Sequence, residues 1–266
     1  MTYFGVLIRY VLPPLLSLAA GWLIYMLRWR GYAGKLERLT PLAISVHVLL
    51  ALAYTSPWDN YLVARRVWWY DPQLVSGIRL GWVPIEEYIF FVMQTLLTGS
   101  WMVCLLRWRW RSRLEFANHA GIRRAAAVVV FMLWLFALGT LAAGWQPLTY
   151  LMLILAWALI PLGLQLAFGA DLLWANWRFL IAAILPPTLY LWWVDTLAIR
   201  HGTWTIHPQQ TTGIMLGILP IEEMLFFLVT NMMIVFGLTL VLSPATRKRV
   251  GIWWVDMRRL LAQPWG

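Results

Sequence analysis

Apolar residues along this chain gather into runs too long for the alternation of a strand or the single stripe of a surface helix. Seven runs approach or exceed the roughly 20 apolar residues that a membrane crossing needs: 3–27, 39–56, 82–106, 124–143, 148–169, 178–197 and 214–242. Polar and basic residues collect between them. The second and sixth are short and interrupted, by Pro41 and by Pro186-Pro187. Proline is tolerated in spans where neighbouring groups take up the freed carbonyl. The first run is too long for a signal-peptide core and lacks a small-residue cleavage site, so it counts as a span. The pattern predicts an all-α integral membrane protein with seven transmembrane helices, multi-pass in the cell membrane.

Composition agrees with the pattern. Of 266 residues, 62% are hydrophobic and 12% charged, where soluble domains carry about 25% charged residues. The 20 Trp and 10 Tyr suit interfacial belts and leave rings over to line a pocket. A net charge of +10 raises the question of a nucleic-acid partner, but the basic residues flank the apolar runs. Anchoring against lipid headgroups accounts for them, with membrane lipids as the partner and no nucleic acid.

Sixteen Lys and Arg residues fall on one side of the predicted spans and four on the other. The richer side holds Arg28, Arg30, Lys35, Arg38, Arg107, Arg109, Arg111, Arg113, Arg123, Arg124, Arg178 and the tail residues Arg247, Lys248, Arg249, Arg258 and Arg259. The poorer side holds Arg65, Arg66, Arg79 and Arg200. This bias predicts an outer N-terminus and a cytoplasmic C-terminus.

Pro-Ile-Glu-Glu occurs twice, at 84–87 and at 220–223, an offset of 136. The same offset aligns Asp59 with Asp195, Trp68 with Trp204, Pro72 with Pro208, Gly77 with Gly213, Gly81 with Gly217 and Phe90-Phe91 with Phe226-Phe227. The chain therefore reads as a first three-helix repeat (1–110), a basic loop and linking helix (111–145), a second three-helix repeat (146–243) and a basic tail (244–266). Three spans reverse the direction of a chain, and the linking span restores it, so the repeats are predicted to be parallel. Both glutamate pairs and both aspartates then converge on the outer end.

Proline followed by acids is also a common helix start. Two copies, each with an aspartate 25 residues before its proline, favour chemistry over capping, because acids inside a membrane are costly and mark proton or ion handling. Adjacent helical residues point about 100° apart. Glu87 stacks over Gln94 and Thr98, and Glu223 over Thr230 with Asn231 nearby; Glu86 and Glu222 head apolar columns. Glu87 and Glu223 are thus the preferred acids, Glu86 and Glu222 their partners, and Asp59 and Asp195 complete the catalytic set. Neighbouring carboxyls in apolar surroundings supply a proton donor beside a proton acceptor. Trp68, Trp204, Phe90 and Phe226 are candidates to face a carbocation, with Gln94 and Asn231 as polar lining.

Other chemistries lack their residues. The sequence contains neither a GxGxxG fingerprint nor a P-loop, and His47, His119, His201 and His207 show no ligand spacing, so neither a metal nor a cofactor is expected. The lysines, Lys35 and Lys248, fall outside the spans, which rules against a retinal Schiff base. Single Cys104 forms no disulfide or thiolate site.

Two three-span units, each with a PxEE motif opening its third span, resemble the membrane-embedded lycopene cyclases in their fused form. The resemblance covers residues 3–242. It implies cyclisation of the ψ-ends of lycopene through monocyclic γ-carotene to β-carotene, a redox-neutral intramolecular lyase or isomerase reaction. It also implies lipid-soluble substrates, other carotenoid enzymes as neighbours, and acids at Glu86, Glu87, Glu222 and Glu223. A monomer is expected to be complete. The rival readings are a small proton-coupled transporter, a non-catalytic carotenoid-binding protein, and a cyclase that takes another carotenoid or forms ε-rings. The halves differ at Asp71/His207, Arg65/His201 and Tyr88/Met224. One composite site and two equivalent sites are both compatible with the sequence.

Overall fold

A computed structural model of the chain describes residues 1–28, 35–108, 117–243, 245–246 and 248–251. Seven helices are long and apolar enough to cross a membrane: α1 (Tyr3–Tyr25), α2 (Leu39–Ala64), α3 (Ile85–Arg107), α4 (Ala120–Ala142), α5 (Gln146–Ala175), α6 (Trp177–Arg200) and α7 (Ile221–Leu242). The chain is an all-α, multi-pass membrane protein. Arg30, Arg109, Arg111, Arg113, Arg247, Arg258 and Arg259, used above to orient it, lie outside the described residues, as does most of the 244–266 tail.

The observed boundaries depart from the hydropathy pattern where polar groups find internal partners. The pattern ends the second span at 56, but α2 continues to Ala64. Its polar last turns are sheltered by protein: Asn60 Nδ2 donates to Ser56 O at 2.9 Å and to Tyr88 Oη at 2.8 Å. Helix α5 passes the expected end at 169 through a kink at Gly169, whose φ of −145° and ψ of 21° are not helical. Helix α7 starts at Ile221 rather than 214, because the preceding residues form a hairpin.

Helices α3 and α7 form the centre, with 67% and 61% of their most apolar windows buried, against 6% for α4. Helix α3 packs on α1, α2, α6 and α7, and helix α7 packs on α5, α6, α2 and α3. Helix α4 lies at the periphery against α5.

The two connections that precede α3 and α7 are built alike. Strand β1 (Trp68–Tyr70) pairs antiparallel with β4 (Trp204–Ile206) in the register Trp68↔Ile206, Trp69↔Thr205 and Tyr70↔Trp204. Asp71 N donates to Thr203 O at 3.2 Å, and His207 N donates to Val67 O at 2.8 Å. Exchanging residues separated by 136 positions leaves this pairing unchanged, the self-complementary arrangement of a two-fold contact. Each connection then forms a small hairpin, β2 (Arg79–Leu80) with β3 (Val83–Pro84), and β5 (Met215–Leu216) with β6 (Leu219–Pro220). Each two-residue turn opens on a glycine at positive φ, Gly81 at 70° and Gly217 at 66°, a conformation that L side chains resist.

At the opposite end of the bundle Asp171, buried in α5, receives Arg249 Nη2 at 2.8 Å and Nη1 at 3.1 Å. It also receives Arg123 and the backbone N–H of His119, the latter at 2.9 Å. Arg249 further donates to Phe168 O at 2.5 Å, beside the Gly169 kink, and to Ala117 O at 3.0 Å. One carboxylate thus joins α4, α5 and the segment after α7.

Asp171→Ala leaves two arginines without their shared anion and is expected to cost about 3–5 kcal/mol, measured as a lowered Tm in detergent. Gly81→Ala is expected to lower Tm more than Gly217→Ala. Both strain the turn, but only a Cβ at Gly81 meets a neighbour, at 2.3 Å from Asn60 Oδ1, which already accepts from Trp82 N at 2.7 Å.

Candidate active site

The local geometry of Pro-Ile-Glu-Glu follows from its residue types. Pro84 and Pro220 end the hairpins, and α3 and α7 begin at the next residue; proline offers no N–H, and a helix start needs none. The following glutamates then diverge. Glu86 Oε1 accepts from Ser76 N at 2.5 Å and Glu222 Oε1 accepts from Thr212 N at 2.6 Å, both carboxyls being fully buried. These two acids tie each loop to its helix and are not among the residues that line the cavity.

Glu87 and Glu223, one helical step further round, face a common cavity together with Asp59 and Asp195. Four of the six expected carboxyls therefore meet, two from each half of the chain. No lysine or arginine is among the lining residues. The free volume is about 50 Å³, enough for one or two waters at about 30 Å³ each.

The hydrogen bonds distinguish the four acids. Glu87 Oε2 accepts from Tyr3 Oη at 2.5 Å and from Tyr70 Oη at 2.9 Å. Glu223 Oε1 accepts from Tyr150 Oη at 2.7 Å, and Asp195 Oδ1 accepts from Trp204 Nε1 at 2.9 Å. Neither oxygen of Asp59 has a hydrogen-bond partner among the described residues. Burial, reinforced by the nearby Asp59 and Glu87 carboxyls, holds the Tyr70 phenol well above its ordinary pKa, so it stays a donor.

Aromatic rings form the walls. Trp58 stacks on Phe226 at 5.7 Å and 9°, and meets Trp68 edge-on at 5.7 Å. Trp68 meets Tyr150 at 5.2 Å, Tyr3 meets Trp204 at 5.0 Å, and Phe90 meets Phe227 at 6.0 Å. Ring faces carry partial negative charge and attract cations. Carboxyls and ring faces together can generate, hold and discharge a carbocation.

Of the lining residues expected from the sequence, Trp68, Trp204, Phe90 and Phe226 border the cavity, whereas Gln94 and Asn231 do not. Those two lie deeper, where α3, α6 and α7 close on one another. Asn231 Oδ1 accepts from Thr98 Oγ1 at 2.8 Å and from Gln94 Nε2 at 3.3 Å, and Asn231 Nδ2 donates to Thr188 Oγ1 at 2.9 Å. The expectation for them is corrected to an interhelical clamp: two turns below Glu87 the polar stripe faces protein.

Sequence reasoning missed Tyr3, Tyr70, Tyr150 and Trp58. Depth was the available signal. Tyr3 and Tyr150 open spans at the end where the acids gather, Tyr70 lies in the connection at that end, and Trp58 precedes Asp59.

A family model described as lycopene cyclase matches residues 10–105 and 147–241. A lycopene beta-cyclase of Halobacterium salinarum is 41% identical over 230 residues, covering 86% of this chain and 90% of that protein. Bifunctional lycopene cyclase/phytoene synthases of Sporisorium reilianum and Aspergillus oryzae are 37% and 36% identical over 77% and 76% of this chain, and over 31% and 35% of their own lengths. No solved structure matches the chain.

Proposed function

The chain belongs to the lycopene cyclase family, and we infer that it is a lycopene beta-cyclase that closes the linear ψ-ends of lycopene into β-rings. Lycopene is the lipid-soluble substrate, with γ-carotene as the monocyclic intermediate and β-carotene as the product. One observation carries the mechanism: carboxyls from both halves meet in a single aromatic-walled cavity whose lining contains no lysine or arginine.

Ring closure needs one proton in and one proton out. A carboxylic acid protonates the terminal double bond and leaves a tertiary cation. The neighbouring double bond attacks that cation to form the six-membered ring, moving the positive charge to the next tertiary carbon. A carboxylate then removes a proton from the carbon that has just formed the ring bond, which yields the β-ring; loss from the methylene on the other side would give an ε-ring. Atoms and electrons balance without a redox partner. The aromatic faces lower the energy of each cation, and acid–base assistance of this kind contributes roughly 10²- to 10⁴-fold.

In this reading Asp59, Glu87, Asp195 and Glu223 form one composite site, while Glu86 and Glu222 support it by fixing the loops. The halves 1–110 and 146–243 are parallel repeats joined by the linking helix within 111–145. The charge bias supports a site at the outer end of a multi-pass protein of the cell membrane, with the basic tail 244–266 in the cytoplasm. A monomer carries the whole site. Other carotenoid enzymes are the expected neighbours, since the substrate travels in the lipid phase.

Expression in a lycopene-accumulating bacterial host is expected to shift colour from red to orange, with monocyclic and then bicyclic products on chromatography; unchanged lycopene would refute the assignment. Glu87→Gln and Glu223→Gln are each expected to lose at least about 100-fold in turnover, whereas two independent sites would leave each variant near half activity. Tyr150→Phe removes the phenol that holds Glu223, while Tyr70→Phe leaves Glu87 with Tyr3. The first should therefore slow β-carotene formation more, by roughly tenfold or above if the lost bond is worth about 1.5–3 kcal/mol.

A further inference from the structure

We propose that Asp59 is the proton donor that starts ring closure. The proposal deepens the lycopene cyclase reading and rests on it. It comes from a break in the internal symmetry of the cavity. Aspartates 59 and 195 occupy matching positions at the offset of 136, as do tryptophans 68 and 204. In the second half the tryptophan grips its aspartate, Trp204 Nε1 to Asp195 Oδ1 at 2.9 Å. In the first half Trp68 packs instead on Trp58 and Tyr150, with ring centroids at 5.7 Å and 5.2 Å. The phenols are distributed just as unequally: Tyr70 donates to Glu87, and the position that matches it in the second half is Ile206.

Asp59 is left alone as a result. Its side chain borders the cavity, the residue is 1% exposed, and neither oxygen has a hydrogen-bond partner among the described residues. An ionised carboxylate there would exchange bulk hydration for at most one or two cavity waters and no protein donor among the described residues, which disfavours the charged form. A neutral carboxylic acid avoids that cost. Its O–H is also unclaimed by any neighbouring acceptor, so it is free to meet an alkene. Glu87 and Glu223 each accept phenolic hydrogens, and such donors favour the carboxylate form in them relative to the unpartnered Asp59.

The Asp59 O–H bond breaks, and the π pair of the terminal alkene takes that hydrogen onto its CH carbon, leaving a carboxylate and a tertiary cation. The next alkene's π pair forms the ring bond. A phenol-held carboxylate, Glu87 or Glu223, then takes the ring proton. Transfer of that proton across the shared cavity to Asp59 restores the starting state, so no external acid is consumed. The preceding residue, Trp58, lines the same cavity, where an aromatic ring can attract the cation as it forms.

The full-length protein in membranes, supplied with lycopene, tests the assignment through Asp59→Asn, Asp59→Glu and Asp195→Asn. Asp59→Asn is expected to lower β-ring formation at least about 100-fold, within the range for removing a general acid, while lycopene absorption still reports binding. Asp59→Glu, which keeps an acid, should recover at least tenfold over Asp59→Asn. In infrared spectra the C=O stretch of a neutral carboxylic acid should disappear in Asp59→Asn and persist in Asp195→Asn. Turnover of Asp59→Asn within tenfold of wild type would overturn the proposal, as would a neutral-acid band that survives in Asp59→Asn or is lost in Asp195→Asn. If Asp59→Asn fails to accumulate, an unaltered wild-type protein that shows no neutral-acid band sinks the idea by itself. A wild-type protein that does not cyclise lycopene refutes the family-level activity instead, and the infrared comparison still reports separately on Asp59.

Discussion

Carboxyl groups withdrawn from water, with no lysine or arginine among the described residues that line their cavity, set the terms for this molecule. Such groups are tolerated only where other donors reach them or where protons stay with them. Much of the architecture at the cavity end of the bundle provides those donors. The pairing of β1 with β4 brings Tyr70 and Trp204 into one register, and these two reach Glu87 and Asp195 respectively. The first turn of α1 brings Tyr3 to Glu87, and the start of α5 brings Tyr150 to Glu223. The hairpins, tied down by Glu86 and Glu222, fix the first turns of α3 and α7, from which the inner pair of glutamates projects.

The other end of the bundle meets the same difficulty in the opposite way. Asp171 is as buried as Asp59, at 1% exposure, yet it is surrounded by two guanidinium groups and a backbone N–H. A carboxylate so saturated has no capacity left for proton exchange and serves as a fastener. Asp59 and Asp171 are thus equally buried and differ in their partners, and the reactive role proposed for Asp59 rests on that difference.

The sequence made much of this legible because residues recur position by position at the offset of 136. Gly81 and Gly217, Pro84 and Pro220, Glu86 and Glu222 all mark the same backbone features in the two halves. Helical phase separates Glu87 from Glu86, and the two side chains face the cavity and the loop in turn. The same phase argument carried Gln94 and Asn231 too far, since a polar stripe does not say whether it faces space or protein. The phenols were hidden for another reason: Tyr70 has no counterpart at Ile206, and a search for repeats passes over whatever only one half possesses. Helix ends slipped where Asn60 and Ser56 are satisfied by protein, because hydropathy scores them as if they faced lipid.

The self-complementary pairing of β1 with β4 carries an evolutionary consequence. Two identical copies meeting across such a contact would be bound to keep identical residues, since any substitution would appear on both sides of the cavity at once. A covalent join through α4 lifts that obligation. Each half is then free to differ, as at Tyr70 against Ile206 and in the indole that reaches Asp195. A single chain can thereby give its cavity a direction that two identical copies could not, with unlike residues on its two sides.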